Sequence, residues 1–495
     1  MKHTKFLTAL LALLMVLSVL FVGCQETSTD NGDGTVAGDG TGTGTDAATT
    51  EAKLNIPTNV DMNGKEFNVM SASWYGTEGL AVVDIFPETE SADPVISEAY
   101  YRAIKVQEQL QCTITSYESA SLDQFSKDLQ DDVMITLTHN VLMIRGQHLL
   151  SSILSKYLAD MDKMEHTDFT APWWDQGSAD TLRVGGKLFF VLGDFSMNPL
   201  RAINMTVYNK DLMETLQMEK MNKIVTEDKW TVAKMLELAK KGANDKDKSG
   251  TLDNGETVGF SYMADSISPL IASAGIRYLE VDDDGEPYMV IDEKKYLDRL
   301  QEVLEAYTDW RYVAETLRQN TDVHGRWRDG ETLFYIAPVF QAEDIRDCEV
   351  DLGIAPLPKY SEDEEYRGSI CAGYCSYIAV PYTNGDYKNT GIFLELMAYE
   401  GYKEVRPEFY ENMLLRKVAR DDESADMLDF IFTNIALDMG AIYNFGGMTG
   451  VIWSNVAYPD DYPLNLASDY AEKVPKVDGD IEAFMEAVRA YDAEA

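Results

Sequence analysis

The chain has 495 residues, of which 84 are Asp or Glu and 42 are Lys or Arg, so its formal net charge is −42. A field of that sign disfavours nucleic acids and anionic lipid surfaces as partners, and it suits an uncharged or cationic ligand. Five cysteines are too few for a disulfide framework, and the sequence lacks the HExxH, CxxC, GxSxG and GxxxxGK[ST] motifs of catalytic zinc, serine-hydrolase and nucleotide sites.

The start of the chain has the pattern expected of an export signal. Lys2 and Lys5 precede a largely apolar run, residues 6–22, that ends at Gly23-Cys24. The Gly-Cys ending resembles a bacterial lipobox, in which the cysteine is lipidated and becomes the first mature residue. We therefore expect residues 1–23 to be a lipoprotein signal peptide and Cys24 to be the lipid anchor. An uncleaved membrane anchor is the alternative, and either would leave the remainder outside the cell.

Residues 24–54 are expected to form a flexible tether. They contain almost no large apolar side chains and carry six glycines between Gly32 and Gly44. Such a segment cannot bury enough surface to offset the entropy of ordering it. A coil of this length lets a folded body move roughly 30 Å from the bilayer.

The rest of the chain, from residue 55, is too long for one compact core and predicts two lobes. Strands and helices alternate at its start, which predicts an α/β fold with a parallel, doubly wound sheet whose ligands bind at the carboxyl ends of the strands. The predicted strands are 65–72, 112–118, 132–138, 187–194 and 376–381. The predicted helices are 97–110, 123–130, 230–243 (capped by Thr231) and 296–307.

A calcium-type loop, DKDKSGTLDNGE (245–256), lies in the middle of the chain. Gly250 stands at the sixth position, where the turn requires a positive φ, and Leu252 is expected to pack inward from the eighth. With no second copy, the loop is predicted to be a structural staple, since a single weak site fills at extracellular calcium concentrations. An acidic surface turn is the alternative. The predicted ligands are Asp245, Asp247, Ser249, Thr251 (through its carbonyl), Asp253 and Glu256.

Several segments, in chain order, resemble extracellular solute-binding proteins of bacterial ABC importers, the maltose-binding-like group. The segments GGKLFFVLGDFSMNPLRAINMTVYNKDLMETL (185–216) and EDKWTVAKMLELA (227–239) are similar to the crossover between the lobes and the helix after it. Residues 329–360, with GIAPLPKY, and SYIAVP (376–381) resemble the return to the first lobe. APWWDQG and VARDDESADMLDFIF are similar to segments of a lipoprotein branch of that family.

The resemblance, which covers most of residues 60–450, implies a type II periplasmic-binding-protein-like fold with a ligand cleft between two hinged lobes. It also implies a lipid-anchored, extracellular, non-enzymatic protein that delivers a mono- or oligosaccharide to an ABC permease. Together with the anchor, it suits a monomer on a Gram-positive cell surface. The expected boundaries are 55–200 and 371–430 for the first lobe, 201–370 for the second, and 431–495 for a segment completing the second.

Sugar recognition requires aromatic faces and polar groups gathered in a cleft. The predicted ligand-binding residues near the first lobe's strand ends are Trp74, Tyr75, Asn140 and Asp194, the last of these close to the hinge. Those predicted nearer the return are Tyr374, Tyr443, Asn444 and Trp453, the last three from the Gly-rich stretch AIYNFGGMTGVIW.

A secreted carbohydrate-active hydrolase with paired carboxylates is the alternative function. Asp and Glu are abundant enough to supply such a pair, but no hydrolase-like segment accompanies them. For Cys371 and Cys375, pairing and separate burial are both open, and free buried thiols are favoured.

Overall fold

The computed structural model describes residues 53–491 except 73–83, 251, 254, 316–321, 346–347, 412–421, 433–434, 459–460 and 462–463. The chain divides into two units, Met1–Glu51 and Ala52–Ala495. Cys24, Trp74, Tyr75 and Thr251 lie outside the described residues, as do the predicted signal peptide and nearly all of the predicted tether.

The second unit contains strands from two large sheets and one hairpin. They are β1 (Lys65–Ala72), β2 (Cys112–Ser119), β3 (Val141–Arg145), β4 (Ile203–Asn209), β5 (Val258–Tyr262), β6 (Leu279–Val281), β7 (Pro287–Met289), β8 (Val313–Glu315), β9 (Thr332–Pro338), β10 (Leu352–Ala355), β11 (Ser369–Ile370) and β12 (Ser376–Ala379).

The α-helices pack around these sheets. They are α1 (Pro94–Leu110), α2 (Leu122–Asp131), α3 (Gly146–Leu154), α4 (Gln176–Thr181), α5 (Asn198–Arg201), α6 (Lys210–Thr215), α7 (Met221–Thr226), α8 (Val232–Gly242), α9 (Ile267–Ser273), α10 (Lys294–Tyr307), α11 (Val323–Arg328), α12 (Val339–Ile345), α13 (Tyr387–Glu400), α14 (Arg406–Glu408), α15 (Asp422–Phe432), α16 (Met439–Tyr443), α17 (Thr449–Ala457) and α18 (Leu466–Ala490). None of these described helices is both long and apolar enough to cross a membrane.

The two large sheets share one topology. The first has the order β2-β1-β3-β12, with β1 parallel to both β2 and β3, and with β12 antiparallel to β3. The second has the order β8-β5-β9-β4-β10, with β5 parallel to both β8 and β9, and with β4 antiparallel to β9. In each sheet, the antiparallel strand is the one that the chain enters directly from the other sheet. The structure therefore has the two α/β lobes that were predicted, and their sheets share a four-strand core, to which the second adds β10 and β11.

The lobes are joined where the chain passes from α3 to β4 and where it returns from β11 to β12. The C-terminal helices do not follow the expected division at residue 430, because most of α15 lies within residues 371–430, which were expected to belong to the first lobe. Helix α15 packs on β10 and β4 of the second lobe, whereas α18 contacts α3 of the first lobe as well as β7. Residues 431–495 thus contact both lobes and do not complete the second alone.

The predicted strand at 132–138 is wrong. Residues Asp132–Thr136 form a π-helical turn, and Met134 and Ile135 are 69% and 73% exposed. The buried strand begins later, at Val141. The turn is organised by the buried Asp132 carboxylate, which accepts hydrogen bonds from Thr138 Oγ1 at 2.8 Å and His139 Nδ1 at 2.8 Å. Local side-chain to backbone bonding thus overrides an apolar run that favours a strand.

We expect Asp132→Ala to lower the free energy of unfolding by about 2 kcal/mol, because it removes the hydrogen bonds that the Thr138 and His139 side chains donate to a charged, buried acceptor. Burial opposes ionisation of Asp132, but hydrogen bonds from His139 and Thr138 hold its pKa well below the usual range. This contribution is therefore complete above about pH 4 and is lost as the pH falls towards the folded-state pKa. Urea melts of the wild type and Asp132→Ala at pH 7 and pH 3 measure it. A difference that stays constant between the two pH values would contradict this assignment.

The predicted strand at 187–194 is instead an extended, buried segment with isolated bridges. Val191 pairs with Ile378 of β12, and Gly193 pairs with Trp174. The predicted helix at 230–243 is confirmed as α8, where the Thr231 hydroxyl accepts from the Lys234 N–H at 3.2 Å. Trp173 and Trp174 are buried, and Trp174 Nε1 donates to Glu395 at 2.8 Å.

Candidate ligand-binding cleft

A cleft lies where strand ends of the two sheets face each other beside the β11–β12 crossover. Its volume is about 320 Å³. Gly146 and Gln147 follow β3 of the first lobe, and Asp265 and Ser268 follow β5 of the second. The carboxyl ends of parallel strands are where ligands bind in open α/β sheets. The remaining lining residues are Cys371, Ala372, Gly373, Tyr374, Ala441, Ile442, Asn444, Thr449, Gly450 and Trp453.

Asp265 organises the polar part of the cleft. Its carboxylate accepts a hydrogen bond from the Tyr374 hydroxyl at 2.6 Å and another from Trp453 Nε1 at 3.3 Å. The residue is exposed, so the carboxylate keeps further acceptor positions for a ligand. Two aromatic side chains are thereby held to one carboxylate.

The aromatic side chains come from separate parts of the chain. Tyr374 belongs to the crossover and packs edge-on against Phe340, which follows β9, with ring centroids 5.3 Å apart. Trp453 lies on α17 and packs against the exposed ring of Tyr458 at 5.7 Å. Apolar ring faces beside polar groups match the two kinds of surface that a pyranose presents.

The first lobe contributes the amino end of α3. Gln147 is exposed at the first turn of this helix, and a Cβ atom on Gly146 would lie 3.0 Å from the carbonyl oxygen of Ala372. The buried guanidinium of Arg145 donates to the carbonyl of Gly373. The end of β3 and the crossover are therefore held in direct contact at the floor of the cleft.

Asn444 supports the opposite wall. It ends α16 in a left-handed conformation with φ of 50°, and its side-chain oxygen accepts from the N–H of Thr449 at 3.0 Å and from its hydroxyl at 2.8 Å. Three of the predicted ligand-binding residues, Tyr374, Asn444 and Trp453, are thus brought together.

Two predicted residues lie elsewhere. Tyr443 is buried among Phe190, Phe445 and Phe484, and burial raises the pKa of its hydroxyl far above the usual value. Asn140 precedes β3 rather than following it, so it lies at the amino end of the sheet. There its side chain accepts from the Asn68 N–H at 3.0 Å. Both corrections follow from local structure: a short helix turns Tyr443 inward, and the misplaced third strand reversed the position of Asn140.

Asp194 lines a different cavity, on the other side of the crossovers. Its carboxylate pairs with Arg406 at 3.1 Å, and burial raises its pKa to about 6 despite the attraction of Arg406. It lies close to the crossover into β4, as predicted, but not among the residues that line the cleft with Asp265.

Asp265 and Gln147 were not predicted. Each follows a strand that the sequence pattern did not assign correctly: VGFSY, which forms β5, and VLMIR, which forms β3. An assignment of those short apolar runs as strands, combined with the strand-end rule, would have found both residues.

The predicted calcium loop has the geometry expected of a cation site. Carboxylate oxygens of Asp245, Asp247 and Glu256 lie within 4.8 Å of one another. Gly250 has a φ of +85°, as the sharp turn requires, and its N–H donates to Asp245 at 2.9 Å. Convergent carboxylates with this spacing are the donors that calcium prefers, so these side chains fit the ion.

The loop is fastened to the second lobe at both ends. The Asn244 N–H donates to the Thr257 carbonyl at 2.8 Å, and Leu252 is buried against Val258 and Ala314 of β5 and β8. Arg326 of α11 donates to the carbonyl of Leu252. The inward packing of Leu252 is as predicted. Ser249 and Asp253 are exposed loop residues.

Four cysteines of the described chain, Cys112, Cys348, Cys371 and Cys375, are free thiols. Cys371 and Cys375 are buried, and burial raises the pKa of Cys371 to about 12. The expectation of free, buried thiols at these two positions is confirmed.

No protein-family model matches this sequence, and no curated protein matches it. Solved structures do match. The chain is 13% identical to the galacto-N-biose/lacto-N-biose I-binding protein of an ABC transporter from Bifidobacterium longum, in complex with lacto-N-biose, at a TM-score of 0.57; the match covers 86% of this chain and 98% of that one.

Two further structures match to a similar degree. An ABC substrate-binding protein from Listeria monocytogenes, in complex with cycloalternan, is 12% identical, with 84% and 100% of the two chains covered and a TM-score of 0.55. A cyclo/maltodextrin-binding protein complexed with maltotetraose is 14% identical, with 86% and 98% covered and a TM-score of 0.53. At these identities the likeness establishes the fold: the chain has the two-lobed, type II periplasmic-binding-protein-like architecture of these ABC-transporter binding proteins.

Proposed function

We propose that this protein is an extracellular solute-binding protein that captures a neutral saccharide and delivers it to an ABC permease. The observation that carries the proposal is the cleft around Asp265, placed between strand ends of two lobes with the same topology. In such a fold a ligand contacts both lobes at once, and its binding energy favours the closed arrangement.

The chemistry of the cleft favours a saccharide. Tyr374 and Trp453 offer ring surfaces, and Asp265, Asn444 and Gln147 offer acceptors and donors for hydroxyl groups. No Lys or Arg side chain occurs among the described residues that line it, so an anionic ligand would face Asp265 without a compensating charge. The structural neighbours named above were solved with lacto-N-biose, cycloalternan and maltotetraose, which agrees with this class.

The hydrolase alternative has less support. Glycoside hydrolysis requires two carboxyl groups about 5 to 9.5 Å apart, with one of them protonated. In the described part of the cleft, Asp265 is the one carboxylate, and Tyr374 and Trp453 both donate to it. The described lining therefore lacks the second carboxyl group that glycoside hydrolysis requires.

Isothermal titration of the mature protein with lacto-N-biose, maltotetraose and a panel of neutral mono- and oligosaccharides tests the function. We expect at least one to bind with a dissociation constant in the micromolar range or below, and chromatography should recover it intact after incubation. Cleavage of the sugar would establish the hydrolase instead, and no binding across the panel would contradict a saccharide receptor.

We further propose that Cys24 carries a lipid that retains the protein at the outer face of a Gram-positive membrane, with residues 24–54 as the tether. An anchor raises the effective concentration of a receptor near its permease. The ending Gly23-Cys24 supports this. Cys24→Ser is expected to move the protein from the membrane fraction into the medium or to leave its signal peptide uncleaved.

A further inference from the structure

A larger cavity, of about 710 Å³, lies behind the crossovers. In the first sheet, β12 separates β3 from the segment that contains Val191. The cleft with Asp265 lies beside the end of β3, whereas the larger cavity lies beside residues 192–196, at the end of the Val191 segment. The crossovers therefore stand between two separate concave sites.

Both lobes line this cavity. Leu192, Gly193 and Asp194 come from the first lobe, and Ile203 of β4 pairs with Ile370 of β11 in the second. The apolar part of the lining, called the floor below, consists of the described side chains Pro199, Leu200, Ile203, Ile370, Phe432 and Ile435. The charged part of the lining is called the rim.

The rim is balanced in charge, unlike the molecule as a whole. Three guanidinium groups and three carboxyl groups line the cavity: Arg277, Arg367, Arg406, Asp175, Asp194 and Glu365. A site with equal numbers of both charges attracts neither a free anion nor a free cation strongly. It does present strong donors beside strong acceptors, which is the arrangement that a hydroxyl group can use because it both donates and accepts.

Several residues of the rim are held in place by ion pairs, hydrogen bonds and packing. Asp194 is 4% exposed and pairs with the 39%-exposed side chain of Arg406. Asp175 accepts from the Ser178 N–H at 2.9 Å, and Trp174 packs on Gly193, where a Cβ atom would lie 2.5 Å from its ring. A preformed cavity of several hundred cubic ångströms with an apolar floor and few fixed polar groups has the properties of a small-molecule site.

We propose that this cavity is a second binding site for a small neutral polyhydroxy compound of disaccharide size. The apolar floor contacts the C–H face of the ring, and the Asp194–Arg406 pair and Arg277 bind hydroxyls from the two lobes. This site is independent of the cleft around Asp265, so the proposed function does not depend on it.

The test separates the two sites. Saturation-transfer NMR is performed with maltose, lactose and trehalose on the double variant Asp265→Ala/Trp453→Ala, which removes the recognition groups of the first cleft. We expect signals from at least one disaccharide to persist in this background. Adding Leu200→Trp, which fills the cavity, should weaken that binding at least ten-fold, while Leu154→Trp on the exposed face of α3 should leave it unchanged.

Arg277→Ala is a second variant, since Arg277 is exposed and its loss leaves the core intact; it should also weaken the residual binding several-fold. The proposal is overturned if the double variant binds none of the three sugars, or if Leu200→Trp and Arg277→Ala both leave residual binding unchanged. Displacement of the sugar by inorganic phosphate at equal concentration would overturn the assignment to a neutral ligand.

Discussion

Asp265→Ala is expected to weaken saccharide binding by at least ten-fold, and by up to about a hundred-fold. The substitution removes a charged acceptor, and hydrogen bonds to charged groups contribute about 1.5 to 3 kcal/mol each. It also frees the Tyr374 hydroxyl and Trp453 Nε1, which both donate to this carboxylate. The measurement is isothermal titration with the tightest saccharide found for the wild type.

Two controls isolate the effect. Asp298→Ala removes an exposed carboxylate that does not line the cleft. Asp298 is 60% exposed and pairs with Lys294 on α10, so its loss should leave the saccharide affinity unchanged. Asp265→Asn keeps an acceptor but loses the charge, so its affinity should lie between those of alanine and the wild type. Wild-type affinity in Asp265→Ala would show that the saccharide binds elsewhere.

The sequence predicted the parts of the fold that depend on local patterns. The strands that became β1 and β2 combine apolar residues with a clear end, and the Thr231 cap and the Gly250 turn follow from backbone geometry. Each of these features is determined by residues within one turn or strand, so no knowledge of distant contacts is required.

The cleft depends on contacts between residues that are distant in sequence, so the sequence predicted only some of its lining residues. Tyr443 and Trp453 occur in the same Gly-rich stretch, yet one ring enters the core beside Phe484 and the other reaches Asp265. The direction of each side chain is decided by where α16 and α17 pack, not by composition. Asp265 was missed because nothing in the sequence around it distinguishes it from other acidic residues. Only the fold, in which Asp265 follows β5, brings it beside two aromatic side chains from distant segments.

The cleft was hard to predict from the sequence for the same reason that it can respond to movement of the lobes: it is assembled from distant segments. The residues around Asp265 come from α3, the segment after β5, the crossover and α17, which together span residues 146–453 of the sequence. Such a site exists only when the two lobes hold their strand ends together. A change in the separation of the lobes is therefore also a change in the site. In the function proposed above, this couples ligand capture to recognition by a permease.

We propose that the loop at Asp245 binds calcium, and removing the ion is expected to lower the melting temperature by about 2 °C. A weak site with a dissociation constant of about 10⁻⁴ M is filled in 2 mM calcium at about twenty times that constant, which contributes about 1.8 kcal/mol, and that free energy corresponds to about 2 °C for a unit the size of Ala52–Ala495. Differential scanning calorimetry in 2 mM calcium and in EDTA measures the shift, with magnesium as a control for ionic strength.

The variant Asp245→Asn/Asp247→Asn sharpens this test. Without calcium it should melt at the wild-type temperature or slightly higher, because the carboxylates of Asp245, Asp247 and Glu256 repel one another when no cation lies between them. Calcium should not raise the melting temperature of this variant. Asp283→Asn/Asp284→Asn makes the same charge change in another exposed turn, beside Gly285 with φ of +81°, and should keep the full calcium response. Equal melting of the wild type in calcium and in EDTA would instead identify the loop as an acidic surface turn, held by its own backbone hydrogen bonds.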